Sequence, residues 1–208
     1  SSCSVYGYAV NEFYDETGPT VAQYPYGLSK LQGERSVIEM SDENFSVIAF
    51  RKGTVSGYSP RMRLDLVVNT MFKCAMQDGV ITVNNPSIWR PILDINDCVK
   101  AYVRAIESDD KTSGVFNLAS NNYTVGEIAD MTAKRIEENT NKKIKLNIKN
   151  NPDIRNYKVN FDKIQTVFGY RPTGSIETIV DDLQNNLDKF EDFDNNNYYN
   201  IKVFKEQK

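Results

Sequence analysis

Histidine is absent from the 208-residue sequence. For these residues, this excludes catalysis by Ser-His-Asp or Cys-His groups and metal sites built on imidazole. Cysteine is also scarce, since Cys3, Cys74 and Cys98 are far apart in the chain and odd in number. They form neither a disulfide framework nor a zinc-binding spacing, so we expect a protein of the reducing cytoplasm without a bound metal.

Long apolar runs and a strong charge of one sign are missing too. No apolar run approaches the roughly 20 residues that a membrane-spanning helix needs, so we expect no membrane association. The formal net charge is -3 and the basic residues are scattered, which gives no electrostatic reason to expect a nucleic-acid partner. The chain starts at Ser1-Ser2-Cys3-Ser4, without methionine or a signal-peptide pattern. We therefore expect a fragment or truncated form of a longer protein.

The sequence does contain an alternation of helix and strand patterns. Short apolar stretches rich in β-branched residues predict buried strands over 45–50 and 114–119. An amphipathic pattern predicts a helix over 26–40, and Thr124 with Glu127 predicts a capping box at the start of a later helix. Apolar strands separated by helices are typical of a parallel sheet covered on both faces, so we predict an α/β fold. The other predicted elements are helices over 64–77, 161–168 and 176–190, a helix capped at 95–97, and strands over 80–83, 89–93 and 143–148.

One pair of residues indicates a specific chemistry. Tyr26 and Lys30 are four residues apart in a predicted helix, so the phenol and the ammonium lie on the same face. A neighbouring cation favours the phenolate form of tyrosine, which makes it usable as an acid and base near neutral pH. The spacing alone is weak evidence, because Tyr198 and Lys202 repeat it in the asparagine-rich tail. Tyr26 differs by its context, since a helix start and a buried strand accompany it and Ser2 lies upstream.

Five sequence blocks occur in an order found in one protein family. They are SCSVYG at 2–7, YGLSK at 26–30, RKGTVSG at 51–57, WRPILDINDC at 89–98 and GVFNLA at 114–119. Together they resemble the extended short-chain dehydrogenases, the NAD-dependent epimerase/dehydratase family that acts on nucleotide sugars, over residues 1 to about 185. The resemblance implies the C-terminal portion of a doubly wound parallel sheet of the Rossmann type, with a small α+β substrate-binding lobe.

The resemblance also implies roles for individual residues. Ser2 would bind the reacting sugar hydroxyl, Tyr26 would act as acid and base, and Lys30 would bind the nicotinamide ribose. These three residues would be catalytic, and Gly53 would join Tyr26 and Lys30 in binding the cofactor NAD, with NADP not excluded. The residues that would bind the nucleotide-sugar substrate are Ser4, Thr54, Asn69, Arg90 and Arg155. Guanidinium groups such as those of the two arginines suit a diphosphate.

At several positions the sequence departs from the family pattern, and there the roles of the family's residues do not transfer directly. Cys3 and Ser4 stand where the 4,6-dehydratases have Asp-Glu, which disfavours elimination chemistry. Thr54 stands where many epimerases have a substrate-contacting asparagine, and Asn84 stands where an aromatic residue often stacks on the nucleotide base. The largest departure is an absence, since none of the 11 glycines forms the glycine-rich turn that holds the NAD pyrophosphate.

The predicted organisation has three parts. Residues 1–60 would form a remnant of a Rossmann-type domain with the catalytic helix, 61–190 a mixed substrate-binding lobe with strands returning to the sheet, and 191–208 a flexible tail. The resemblance implies an NAD-dependent nucleotide-sugar epimerase that works by reversible hydride transfer and forms a homodimer at full length. This chain alone is expected to be inactive. Two alternatives stay open: a keto-sugar reductase dependent on NAD or NADP, and a non-catalytic module that binds the sugar nucleotide.

Overall fold

The structure is a computed structural model that describes residues 1–7, 13–150 and 156–206. The helices are α1 (Pro25–Glu39), α2 (Val67–Asp78), α3 (Ile95–Ile106), α4 (Val125–Thr140), α5 (Asp162–Phe168), α6 (Ile176–Asn185) and α7 (Asn200–Glu206). The strands are β1 (Phe13–Tyr14), β2 (Ile48–Lys52), β3 (Thr54–Ser56), β4 (Val80–Asn84), β5 (Trp89–Asp94), β6 (Gly114–Leu118), β7 (Asn121–Thr124), β8 (Lys145–Lys149) and β9 (Lys158–Val159). This mixture confirms the predicted α/β class. None of the described helices is both long and apolar enough to cross a membrane.

The part of the sheet that carries Ser2 is parallel, as predicted. β2 pairs with β6 from Ile48 opposite Gly114 to Lys52 opposite Leu118. Ser2 forms a single parallel bridge with Lys52, which places it beside the free edge of β2. Apolar side chains of β2, β6, α3 and α5 form one buried cluster, so Ser2 lies at the rim of a well-packed sheet.

The larger core lies around α2, α4 and α6. These helices contact one another, and they enclose side chains such as Phe72, Ile128 and Leu183, which are fully buried. Two small sheets border this core. In one, β5 pairs in parallel with β3 and antiparallel with β7, and the other is the parallel pair of β4 and β8. The predicted capping box of Thr124 and Glu127 starts α4.

Several element ends differ from the prediction. α2 begins at Val67 and not at 64, α6 ends at Asn185 and not at 190, and β8 begins at Lys145 and not at 143. At two further ends, local hydrogen bonds account for the difference. The N-cap of α3 is Asp94, whose Oδ1 accepts a hydrogen bond from the Asn96 amide at 2.8 Å, and not the three residues that follow it. β2 begins at Ile48 and not at Phe45, because Phe45 forms a turn with Asp42 through two backbone hydrogen bonds. In both cases the apolar pattern located the element but not its first residue.

The segment predicted as a flexible tail over 191–208 contains secondary structure, and its flexibility stays a prediction. A 3-10 helix at Asn196–Tyr198 and then α7 follow the buried ring of Phe190. Tyr198 and Tyr199 pack against the larger core. Asparagine dominates the composition of this stretch, and the aromatic side chains that anchor it are spaced too widely to give a helical or strand period.

Candidate active site

The first turn of α1 packs directly against the segment that carries Ser2. Pro25 occupies this turn, where its missing N–H costs no hydrogen bond. Gly27 is buried, and a Cβ at this position would lie 2.9 Å from the carbonyl oxygen of Ser4. The absence of a side chain at Gly27 therefore lets the turn that holds Tyr26 approach the turn that begins at Ser2.

Tyr26 and Lys30 lie one helical turn apart on the open side of α1. The Lys30 Nζ is 5.6 Å from the centre of the Tyr26 ring, and Tyr26 is 54% exposed. The phenol and the ammonium thus lie side by side, and the phenol is accessible to a ligand. The structure thus brings the two predicted residues together.

Ser2 and Ser4 are held at the start of a short 3-10 helix, Cys3–Tyr6. The Ser2 Oγ accepts a hydrogen bond from the Ser4 amide at 3.2 Å. The Ser4 side chain is hydrogen-bonded to the phenol of Tyr157, whose pKa is raised by burial. Arg90 also interacts electrostatically with that phenol. Tyr157, which sequence reasoning missed, therefore connects the segment that carries Ser2 and Ser4 to the predicted phosphate-binding arginine.

Lys52 is a second site residue that sequence reasoning missed. It is the strand partner of Ser2, and its Nζ donates a hydrogen bond to the Tyr102 hydroxyl at 3.1 Å. Burial alone would lower the pKa of Lys52, but the bond to Tyr102 and the nearby phenol of Tyr26 raise it. The protein therefore keeps a second ammonium near Tyr26. The signal in the sequence was its position two residues after a predicted strand, the region where parallel sheets present functional side chains.

A cleft of about 330 Å³ lies between α2, β3, β4 and β5. Its polar lining residues are Thr54, Asp65, Thr70, Thr82, Asn84 and Arg90. The predicted residues Thr54 and Arg90 thus share one cavity with Asn84, the residue expected near the base. The Arg90 Nη1 donates a hydrogen bond to the Trp89 carbonyl at 3.0 Å. Hydroxyl, amide and guanidinium groups beside an apolar floor suit a ligand with a polar, anionic part.

Asn69 and Gly53 have structural contacts that account for their residue types. Asn69 is 2% exposed; its Oδ1 accepts a hydrogen bond from the Gly57 amide at 3.1 Å, and its Nδ2 donates one to the Arg63 carbonyl at 3.0 Å. These two hydrogen bonds therefore fix the loop before α2 in place. A Cβ at Gly53 would lie 2.7 Å from the Pro91 carbonyl oxygen. Substrate contact by Asn69 and cofactor contact by Gly53 stay predictions.

A second cavity, of about 380 Å³, opens around Trp89 and Lys158. The Lys158 Nζ lies 4.7 Å from the ring centres of both Phe13 and Trp89, so a cation of the protein already covers this aromatic surface. None of the predicted site residues that the structure describes lines this cavity, and Arg155 lies outside the described residues. In the described ranges, no cluster of three or more cysteine and carboxylate side chains could hold a metal ion.

Comparison with known proteins agrees with the resemblance and the fold. Residues 1–119 match the family model for the NAD dependent epimerase/dehydratase family. The ADP-L-glycero-D-manno-heptose-6-epimerase of Helicobacter pylori is 22% identical, with a TM-score of 0.74 over 89% of this chain and 58% of that one. The UDP-glucuronic acid 4-epimerase of Bacillus cereus, in complex with UDP-glucuronic acid and NAD, is 22% identical. Its TM-score is 0.75 over 91% of this chain and 60% of that one.

A dehydratase has a similar structure. The dTDP-glucose 4,6-dehydratase of Bacillus anthracis, in complex with NAD, is 17% identical, with a TM-score of 0.75 over 92% of this chain and 62% of that one. At these identities the likeness concerns the fold, and it confirms the predicted Rossmann-type sheet. The chain spans about 60% of the length of the solved structures it matches.

Proposed function

Because this chain belongs to the NAD-dependent epimerase/dehydratase family, we propose that it supplies the catalytic and substrate-binding part of a nucleotide-sugar epimerase. One observation carries this proposal: the Lys30 ammonium lies 5.6 Å from the centre of the Tyr26 ring, on a helix that packs against the Ser2 segment. Residues 1–60 would provide the catalytic part and residues 61–190 the substrate-binding lobe.

The proposed cofactor is NAD, with NADP as the alternative. The exposed phenol of Tyr26 and the ammonium of Lys30 offer groups that suit a nicotinamide ribose. The sequence has no glycine-rich turn for the pyrophosphate, so we propose that residues outside this chain contribute that unit. We call the protein that contains both parts the complete enzyme. When bound, NAD supplies a hydride acceptor and donor for a sugar carbon.

Each catalytic residue has one task in this proposal. Tyr26 takes the proton from the sugar hydroxyl when its carbon is oxidised, and returns it after the keto-sugar has presented its other face. Lys30 and Lys52 would stabilise the phenolate form in which Tyr26 begins the cycle and to which it returns when it gives the proton back. The Ser2 hydroxyl hydrogen-bonds the reacting sugar oxygen and orients it toward Tyr26.

The cleft of Thr54 and Arg90 is the proposed binding site of the nucleotide sugar. Arg90 would bind the diphosphate as a planar, bidentate donor, and Thr54 and Asn84 would contact the sugar or the base. The Bacillus cereus relative, solved with UDP-glucuronic acid and NAD, supports a sugar nucleotide as the ligand. We also propose a homodimer for the complete enzyme, supported by the exposed apolar side chains of Leu28 and Val37 on α1.

Calorimetric titration tests the proposed ligand on this chain directly. UDP-, dTDP-, GDP- and ADP-sugars are titrated in turn into the folded protein, and we expect binding of at least one. Arg90→Ala should weaken that binding about tenfold or more, because it removes a charge-assisted contact to phosphate. The matched control is Arg104→Ala, since Arg104 is exposed on α3 and pairs only with Glu107 at 3.4 Å among its described contacts. A folded chain that binds none of these compounds contradicts the proposal.

Product analysis with the complete enzyme separates the epimerase from the alternatives. An epimerase converts the sugar nucleotide without net consumption of NAD or NADH. A keto-sugar reductase consumes NAD(P)H in proportion to product. Tight binding of a sugar nucleotide without turnover in the complete protein would identify a binding module.

A further inference from the structure

The C-terminal segment 195–206 folds back onto the loop that precedes α2. The Leu64 amide donates a hydrogen bond to the Tyr198 carbonyl at 2.9 Å. The Asn200 amide donates one to the Asp65 Oδ2 at 3.1 Å, and the Arg61 Nη2 donates one to the Asn200 Oδ1 at 2.8 Å. Three loop residues thus form hydrogen bonds with residues 198–200, and Asn200 takes part in two of these bonds.

The same loop forms part of the cleft wall. Asp65 and Leu66 line the cleft that contains Thr54 and Arg90. Asp65 is therefore in direct contact with both the C-terminal segment and the cleft. Burial alone would raise the pKa of Asp65, but the hydrogen bonds from Arg63 and from the Asn200 amide lower it. This carboxylate is held in its charged form and in one place.

The segment is also fixed at a second point, on α2 itself. The Lys73 Nζ lies 5.4 Å from the centre of the Tyr199 ring and donates a hydrogen bond to its hydroxyl at 3.4 Å. The helix α2 forms another wall of the cleft through Val67 and Thr70. The C-terminal segment therefore spans two neighbouring walls, the loop and the helix.

We propose that segment 195–206 is a strap that positions loop 61–66 in the cleft wall and thereby sets the affinity for the nucleotide part of the substrate. The hydrogen bond from the Asn200 amide to Asp65 joins the strap to a residue that lines the cleft. Asn200 and Arg61 do not line the cleft themselves, so they are positioning residues and not ligand-binding ones. The assignment of a nucleotide as ligand rests on the proposed function, whereas the position of the loop rests on the hydrogen bonds described above.

Substitutions at Asn200 remove hydrogen bonds between the strap and the loop without unfolding α7. Asn200 is the first residue of α7, where proline is well tolerated, and Tyr199 has the extended φ and ψ of -128° and 108° that proline requires before it. Asn200→Pro therefore removes the amide donor to Asp65 and the acceptor for Arg61 but keeps the helix. Asn200→Ala removes only the second bond. Ile201→Ala is the matched control, because Ile201 is 68% exposed and makes neither bond.

Two measurements are made on each variant of this chain: hydrogen exchange of the amides in loop 61–66, and the Kd for UDP, dTDP, GDP and ADP, each alone. We expect the Leu64 amide to exchange faster in Asn200→Ala than in Ile201→Ala, and fastest in Asn200→Pro. We expect the Kd of the nucleotide that binds to rise about fivefold for each bond removed.

The outcomes separate the strap from the proposed function. If Asn200→Pro exchanges and binds as Ile201→Ala does, the strap is refuted. Faster exchange with an unchanged Kd also refutes it, because the loop would then be uncoupled from the cleft. If the unaltered chain binds none of the four nucleotides, the proposed ligand is wrong. The exchange rates then decide alone whether the segment holds the loop.

Discussion

Glu34 of α1 and Arg51 of β2 form a buried, bidentate ion pair. The two Arg51–Glu34 bonds measure 2.7 and 3.0 Å, and the Arg51 guanidinium lies 5.0 Å from the ring centre of Tyr6, to whose hydroxyl it donates a bond of 2.9 Å. Glu34 is one helical turn beyond Lys30, and Leu31 supplies the large apolar side chain that α1 buries. The ion pair therefore fixes the rotation of α1, and with it the direction in which Tyr26 and Lys30 face.

Replacement of Glu34 by glutamine should destabilise the fold markedly. Loss of one partner of a buried ion pair leaves the other charge uncompensated, and we expect the free energy of unfolding to fall by about 3 kcal/mol. Urea denaturation measures this change. The control is Glu39→Gln, an exposed residue at the end of the same helix, which should change the free energy by less than about 0.5 kcal/mol. Equal stability of the two variants would show that the pair does not hold α1.

Asp97 links the N-terminus of α3 to two other parts of the chain. Its carboxylate accepts hydrogen bonds from the Ser120 and Tyr170 hydroxyls at 2.7 Å each, from the Gly174 amide at 2.7 Å and from the Thr173 amide at 3.0 Å. Burial alone would raise the pKa of Asp97, but these bonds outweigh it and lower the pKa.

The lowered pKa of Asp97 predicts a pH-dependent contribution to stability. A carboxyl group whose pKa is lower in the folded state stabilises the fold above its unfolded value of roughly 3.9, and this contribution is lost as the pH falls through the folded value. Asp97→Asn should therefore lower the free energy of unfolding by about 2 kcal/mol at pH 7, and by clearly less at pH 3. Denaturation at both pH values checks this, with the exposed Asp130→Asn as control. If Asp97→Asn lowers the free energy of unfolding by the same amount at pH 3 and at pH 7, the charge of Asp97 does not contribute to stability as proposed.

Lys52 should contribute to the rate of the proposed reaction in the complete enzyme. Its ammonium interacts electrostatically with the phenol of Tyr26, and the loss of a charge placed beside a reacting group should lower kcat. We expect Lys52→Met to lower kcat about tenfold or more with little change in substrate binding, and Lys52→Arg to keep most of the rate. Lys100→Met, at an exposed position of α3, is the control for a general loss of charge. Equal kcat values for Lys52→Met and Lys100→Met would contradict a role of Lys52 in catalysis.

The features of the fold and of the site that were predictable are those that local patterns encode. Tyr26 and Lys30 lie on one face because of the helical period, and the capping box of Thr124 follows from a three-residue spacing. Lys52 was not predictable in the same way, because its role comes from the sheet pairing with Ser2, fifty residues away in the sequence. The helices of the C-terminal segment were not predicted, because the side chains that anchor them are isolated tyrosines in an asparagine-rich stretch.

The central claim is that Tyr26, and not the similarly spaced Tyr198, is the acid and base of a nucleotide-sugar epimerase. The most direct measurement compares Tyr26→Phe with Tyr198→Phe in the complete enzyme, by the rate of product formation and by calorimetric binding of the sugar nucleotide. We predict that Tyr26→Phe lowers kcat by about 10²- to 10⁴-fold with little change in binding, while Tyr198→Phe keeps the full rate. A Tyr26→Phe enzyme that turns over at the unaltered rate would contradict the account.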